Sequence, residues 1–314
     1  MWDKVFNIGF FVSLLAAAVR LSAPILLASL GQIFTQRAGV LNLNVEGTMV
    51  LCSMVAFSVT YVSGSLLVGT MLAVLAGILW SMLFGYFAVT LRTNQVIAGI
   101  GLNIFSVGVA SYLYRVFFGV RSLPPQIDPY SAVALPVLSD LPVIGPMFFQ
   151  HNALVYLAYA LVPLTWWLMQ RTTYGLRVKV VGEHPRAADT KGIRVGVIRY
   201  SAIMLGGAFA GLAGAFMSTA YMNLFTESLV GGRGFMAVAV VIFARFNPVY
   251  AMLGALLFGF SSALQMRLQA IGVDLANQLL LMLPYAMTII ALISTSRRAH
   301  MPAAFTRPYS RMER

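Results

Sequence analysis

Acidic side chains are scarce in this chain, with 9 Asp and Glu among 314 residues and only 10% of the sequence charged. Soluble globular domains carry about 25% charged residues, so an ordinary soluble enzyme is excluded. Cysteine is almost absent. The single Cys52 lies inside an apolar run, where it can close neither an intrachain disulfide nor a cysteine metal site, and it reads as a small buried apolar residue. The three histidines, His151, His184 and His300, stand far apart and outside the apolar runs. No GxxxxGK[ST], HExxH or GxSxG sequence occurs. The chain therefore lacks those devices for cradling nucleotide phosphates, activating a metal-bound water or presenting a serine nucleophile. Catalysis is not expected of it, and no metal site is expected either.

What the chain has is apolar sequence, 60% of the residues, gathered into long runs. A hydrocarbon core about 30 Å thick is crossed by roughly 20 helical residues. The runs are Val5 to Leu27 (continuing towards Phe34), Gly47 to Val62, Ser65 to Leu91, Gln95 to Phe118 and Asn152 to Met169. Beyond a charged stretch come Tyr200 to Leu224, a short one from Phe235 to Phe243, Val249 to Leu268 and Leu275 to Ile293. No period-two alternation runs through them, so they predict an all-α, polytopic integral membrane bundle of nine to ten transmembrane helices. The tenth arises if Arg20 and Pro24 break the first run and Ala23 to Phe34 spans separately. That first run lacks a basic leader and a small-residue cleavage site, and is read as retained. Residues 1–296 form the membrane domain and 297–314 a basic tail.

With 21 Lys and Arg the net charge is +12, which in a soluble protein would suggest nucleic acid. Here the basic residues are topological. Residues 171–199 hold Arg171, Arg177, Lys179, Arg186, Lys191, Arg194 and Arg199, and the tail is also basic, so both are expected in the cytoplasm. Trp166 and Trp167 suit an interfacial anchor beside the first of these. The loop 119–150, interrupted by Pro124, Pro125, Pro129, Pro136, Pro142 and Pro146, is then an extracytoplasmic cap that no continuous helix can form. Nine spans put the N-terminus outside and ten put it inside.

Three groups of residues carry candidate function. In the basic loop, Pro185 suits a first helical position and Gly192 the residue after a helix end, so a helix of about two turns fits between them. Carrying Arg186, Asp189 and Thr190, it is too short to stand alone and docks on something, unless the stretch is a solvated connector whose charges only fix topology. Glu46 and Glu227 are acids near span ends that sit in Gly- or Asn-bearing elements. Asn42, Asn44 and Glu46 lie between Gly39 and Gly47, a pattern that fits either a broken helix at a gate or an acidic N-terminal cap. Following Asn94, residues Gln95, Gly99, Leu102 and Ser106 share a helix face with Asn103 at its flank. Such uncharged amides either line a pathway or bond neighbouring helices. Gly231 to Gly234, before a short apolar run, faintly echoes Gly39 to Gly47. The series Gly206, Gly207, Gly211 and Gly214 fits close helix packing.

Several motifs in order resemble one family: GVLNLNVEG from Gly39, LRTNQVIAGIGLNI from Leu91, VGEHPRAADTKGI from Val181, and GGRGFMAVAVVIFARFNP from Gly231. LLLMLPYAMTIIAL from Leu279 and PAAFTRPY from Pro302 complete the set, with Ala244 standing where a glycine is common. The chain resembles ABC importer permeases of the branched-chain amino acid, simple-sugar and nucleoside superfamily, and within it the nucleoside and simple-sugar branch. The resemblance implies a multi-pass subunit of the bacterial plasma (inner) membrane with a cytoplasmic C-terminus and no cofactor of its own. ATP and Mg would sit on a partner ABC ATPase subunit, which in many such systems is a tandem fusion. A second homologous permease and an external substrate-binding lipoprotein complete the assembly, with membrane lipid around it and no nucleic acid. It implies that Glu183, Pro185, Arg186, Asp189 and Gly192 couple the chain to the ATPase. Asn42, Asn44, Glu46, Asn94, Gln95, Gly99, Asn103 and Ser106 are the candidates for the substrate pathway. Nucleosides are the first expected solute and simple sugars such as ribose or galactose the second. An ATP-independent secondary transporter or channel for small polar solutes is the competing class.

Overall fold

The computed structural model describes residues 8–119, 123–134, 139, 144–271, 278–279, 282–284, 286–287, 289–290 and 301–310. Its helices are α1 (Ile8–Arg37), α2 (Val45–Ser63), α3 (Leu66–Gly85), α4 (Gln95–Phe118), α5 (Ile144–Phe148), α6 (Ala153–Arg171), α7 (Thr173–Glu183), α8 (Pro185–Thr190), α9 (Val195–Phe216), α10 (Arg233–Phe243) and α11 (Pro248–Ile271). α3 and α9 each run on into a five-residue π-helical turn, Tyr86–Thr90 and Met217–Tyr221. One short hairpin, β1 (Ala132–Ala134) and β2 (Gln150–Asn152), pairs antiparallel with Val133 opposite His151.

Among the described residues, seven helices are long and apolar enough to cross a membrane: α1, α2, α3, α4, α6, α9 and α11. The expectation of nine to ten is not met by this count. α10 has 11 residues, too short at 1.5 Å per residue to cross alone. The Leu275 to Ile293 run lies largely outside the described residues. α1 passes through Pro24 as one helix of 30 residues, so Ala23 to Phe34 is no separate span. A proline inside a helix removes one hydrogen bond and crowds the preceding turn. Here every residue from Leu21 to Gln36 is buried, and packing on all sides outweighs the local penalty.

α9 is the central helix, packed against α1, α2 and α3. Its glycines permit that. A Cβ on Gly211 would lie 2.6 Å from the Ala73 carbonyl oxygen, and side chains on Gly207 and Gly214 would collide with Gly77, Ser81 and Met49. The small-residue series is thus a packing device. Residues 124–130 are stitched to the C-terminal end of α9, with Ile127 N–H donating to Asn223 O at 3.0 Å and Tyr130 N–H to Thr219 O at 2.9 Å. The turn between α10 and α11 is left-handed at Arg245 (φ 50°) and Phe246 (φ 59°), whereas Ala244 has φ −70°. The site where glycine is common therefore needs none. The Arg37 guanidinium covers this turn, 4.9 Å above the Phe246 ring and donating to Arg245 O at 3.3 Å.

Candidate translocation and coupling sites

Two segments without regular structure enter the bundle and meet. Residues 38–44 leave the C-terminal end of α1 and lead to α2, while residues 222–232 follow the π-helical turn that ends α9 and lead to α10. Both α2 and α10 begin at the meeting point, and Glu46, 8% exposed, occupies it. Its Oε1 accepts from Gly232 N at 2.7 Å and its Oε2 from Gly234 N at 2.6 Å. Gly231 (φ 57°) and Gly232 (φ 83°) turn the chain left-handed so that these N–H groups face the carboxylate. A Cβ on Gly234 would lie 2.6 Å from the Glu46 Cα, so only glycine admits the approach. The carboxylate stands in the first turn of its own helix and against the N-terminus of another, where both helix dipoles favour negative charge. The carboxylate thus bonds the N-terminus of α10, not that of its own helix.

The polar face of α4 lies along the same junction. Gln95 Oε1 accepts from Leu41 N at 2.9 Å, and Asn103 Oδ1 from Gly47 N at 2.5 Å. Gly99 admits Leu43, whose Cβ would be 3.1 Å from an added methyl. The Ser106 hydroxyl meets Asn44 Oδ1 at 3.0 Å and accepts from Trp80 Nε1 at 2.6 Å. Asn42 Oδ1 accepts from Asn44 N at 2.9 Å. From Gln95 to Ser106 of α4, about 16 Å of rise, the junction is followed by amide and hydroxyl groups. Asn44, Gln95, Gly99, Asn103 and Ser106 thus come together, with Asn42 and Glu46 at the ends of the group. Asn94 stands apart: exposed, it caps α4 through Oδ1 from Val96 N at 3.0 Å and Ile97 N at 3.2 Å. Donors are left over. Asn44 Nδ2 and Gln95 Nε2 are buried and make no hydrogen bond among the described residues. Trp80 went unnoticed in the sequence because a tryptophan in an apolar run gives no sign of what its N–H reaches.

At the Arg37 end of α1, beside the start of the 38–44 segment, α7, α8 and residues 301–310 gather. α8 has Pro185 in its first turn and stops at Gly192 (φ 79°), as the spacing predicts, though with six residues it is shorter than two full turns. Arg186 is exposed, Asp189 half-buried and Ala188 buried against the body. The Thr172 hydroxyl caps α7 by accepting from Gly175 N at 3.2 Å, and Tyr174 bonds Ser201 of α9 at 3.1 Å. Burial pushes the Tyr174 phenol above its ordinary pKa. Glu183, at the end of α7, accepts from Ala303 N at 3.1 Å. Among the described residues no cluster of three metal-ligating side chains occurs.

Residues 14–292 match the family described as branched-chain amino acid transport system, permease component. The chain belongs to this permease family. The guanosine ABC transporter permease of Bacillus subtilis is 33% identical over 93% of this chain and 95% of its own length. The nucleoside ABC transporter permease of Lactococcus lactis is 35% identical over 90% of this chain and 92% of its own. A protein of Haloferax volcanii named provisionally as a glucose ABC transporter permease is 37% identical over 85% and 81%. In each of these organisms a second permease with the same substrate in its name also matches, at 25%, 24% and 28% identity respectively. No solved structure matches. The chain is a multi-pass membrane permease, and its relatives are transport subunits.

Proposed function

We propose that this permease is the membrane-spanning subunit of an ATP-driven importer of nucleosides, with simple sugars such as ribose or galactose as the second choice of solute. The observation that carries the reading is similarity over nearly the whole length to permeases named for guanosine and nucleosides. A partner ABC ATPase, alone or as a tandem fusion, binds ATP and Mg and docks on α8, with Glu183, Pro185, Arg186, Asp189 and Gly192 forming that contact. The exposed α8 supports this, since so short a helix is held by its neighbours and offered to the cytosol. The paired relatives support a second, non-identical permease as the other half of the channel. An external substrate-binding lipoprotein delivers the solute. The tail and the loop from 171 to 199 face the cytoplasm of a bacterial plasma membrane.

Neutral solutes need hydrogen-bonding groups without fixed charge. The unmatched amide donors of Asn44 and Gln95 supply them where two irregular segments converge, and the Asn42 to Glu46 and Asn94 to Ser106 groups form the moving wall of the pathway. A carrier driven by a proton or ion gradient has little to work with. Among the described spans Glu46 is the one acid, and both its oxygens are occupied by main-chain N–H groups. In reconstituted vesicles, uptake of labelled guanosine should stop on ATP depletion with the proton gradient intact. Uptake that persists refutes the proposal. Arg186→Ala with Asp189→Ala should lower substrate-stimulated ATP hydrolysis while the permease stays in the membrane.

A further inference from the structure

Arg199, 1% exposed, is among the largest side chains fully enclosed among the described residues. A guanidinium keeps its charge and offers five donors, and burying it unpaired is costly. Nη1 donates to Arg307 O at 3.0 Å, while Nε and Nη2 make no hydrogen bond among the described residues. The charge thus lies directly under residues 301–310, a segment the transport reading leaves without a role. That segment is fastened at three further points. Ala303 N–H donates to Glu183 Oε2 at 3.1 Å, Ala304 N–H to Gly182 O at 2.9 Å and Thr306 N–H to Gly39 O at 3.0 Å. Its anchors are therefore the end of α7 just before α8, the first residues after α1, and α9. Thr306 sits at φ 60°, a strained conformation for a β-branched residue that persists only when its surroundings enforce it. Opposite it, Gly39 (φ 82°) leaves no room, since a Cβ there would lie 3.0 Å from Ala304 O. Arg186 of α8 and Arg307 of the segment line one cleft of about 570 Å³.

We propose that Arg199 is a positioning residue for energy coupling. It seats residues 301–310 as a strap that ties the base of α8 to the start of the 38–44 junction, so that a push on α8 reaches Asn44 and Glu46. The inference rests on the importer reading, which supplies the push.

The test uses the complete transporter in proteoliposomes. It reads ATP hydrolysis, uptake, ATPase co-purification and hydrogen exchange of the 301–310 amides together. Arg199→Met keeps most of the volume and removes the charge. Thr306→Pro removes the N–H given to Gly39 and, with its φ locked at about −65°, cannot keep the left-handed turn. It thus unseats the strap from the exposed side without altering α9, and tests the strap if Arg199→Met fails to fold. Both should raise exchange of the strap at least tenfold and lower uptake per ATP hydrolysed at least fivefold, with the ATPase still bound. Arg199→Lys should recover at least half of the ratio. Unchanged exchange in both variants, a released strap with an unchanged ratio, or loss of the ATPase from the Thr306→Pro complex each overturns the proposal. A wild-type complex that takes up substrate without ATP instead overturns the importer reading itself.

Discussion

Glu46 gives the sharpest quantitative test of how the two irregular segments are joined. Replacing it with alanine leaves the N–H groups of Gly232 and Gly234 buried without an acceptor. An unmade buried hydrogen bond costs roughly 1–3 kcal/mol, so the pair predicts a loss of about 2–6 kcal/mol. Glutamine keeps one carbonyl oxygen but turns an NH2 towards the other N–H, so one charge-assisted bond is lost and two donors oppose each other. That predicts about 2–3 kcal/mol. The Glu46→Gln and Glu46→Ala proteins should therefore fall in that order in a reversible unfolding titration in mixed micelles. A loss below about 1 kcal/mol for Glu46→Ala would refute the reasoning, because the two amides would then have found other acceptors.

Other consequences are independent of that joint. Gly47→Ala places a methyl 2.7 Å from Asn103 O, and overpacking of this kind costs about 1–3 kcal/mol; size-exclusion of detergent extracts after heating should show a lower melting temperature. Gln95→Ala strips Leu41 N of its acceptor, with an expected cost of about 1–3 kcal/mol in the same assay and faster exchange of the Leu41 amide. His151 has its pKa lowered from 6.5, first by burial, against the opposing bond to Met147 O, with Arg20 lowering it further. A base whose folded pKa is depressed contributes full stability above its unfolded value and loses it as pH falls towards the folded one. Exchange across residues 144–156 should accordingly accelerate below about pH 6.5, and His151→Gln should abolish that dependence.

Length and apolarity alone make most spans legible, because a run such as Val195–Tyr221 has one economical way to satisfy its backbone in hydrocarbon. Pro185 and Gly192 mark α8 for the same local reason. The spacing of Gln95, Gly99 and Ser106 reveals a polar face. It cannot reveal that Leu41, Leu43 and Asn44 lie on it, since those partners are more than 50 residues away. The continuity of α1 through Pro24 depends on what surrounds it, and no local signal reports that. Arg199 reads as one more topological charge until the fold encloses it. A basic residue set inside the buried face of an apolar helix was the available clue.

The contact between Gly39 and Thr306 joins residues separated by 306 − 39 = 267 positions. At about 5–20 residues per second, a ribosome needs roughly 15–50 s to deliver the second partner after the first. Throughout that interval the C-terminal end of α1 waits without its cover, with every described helix already made by the time it arrives. Closure of this corner is therefore among the latest events of biogenesis, and a chain halted before residue 301 would carry its spans yet leave Arg199 open to solvent and to quality-control proteases.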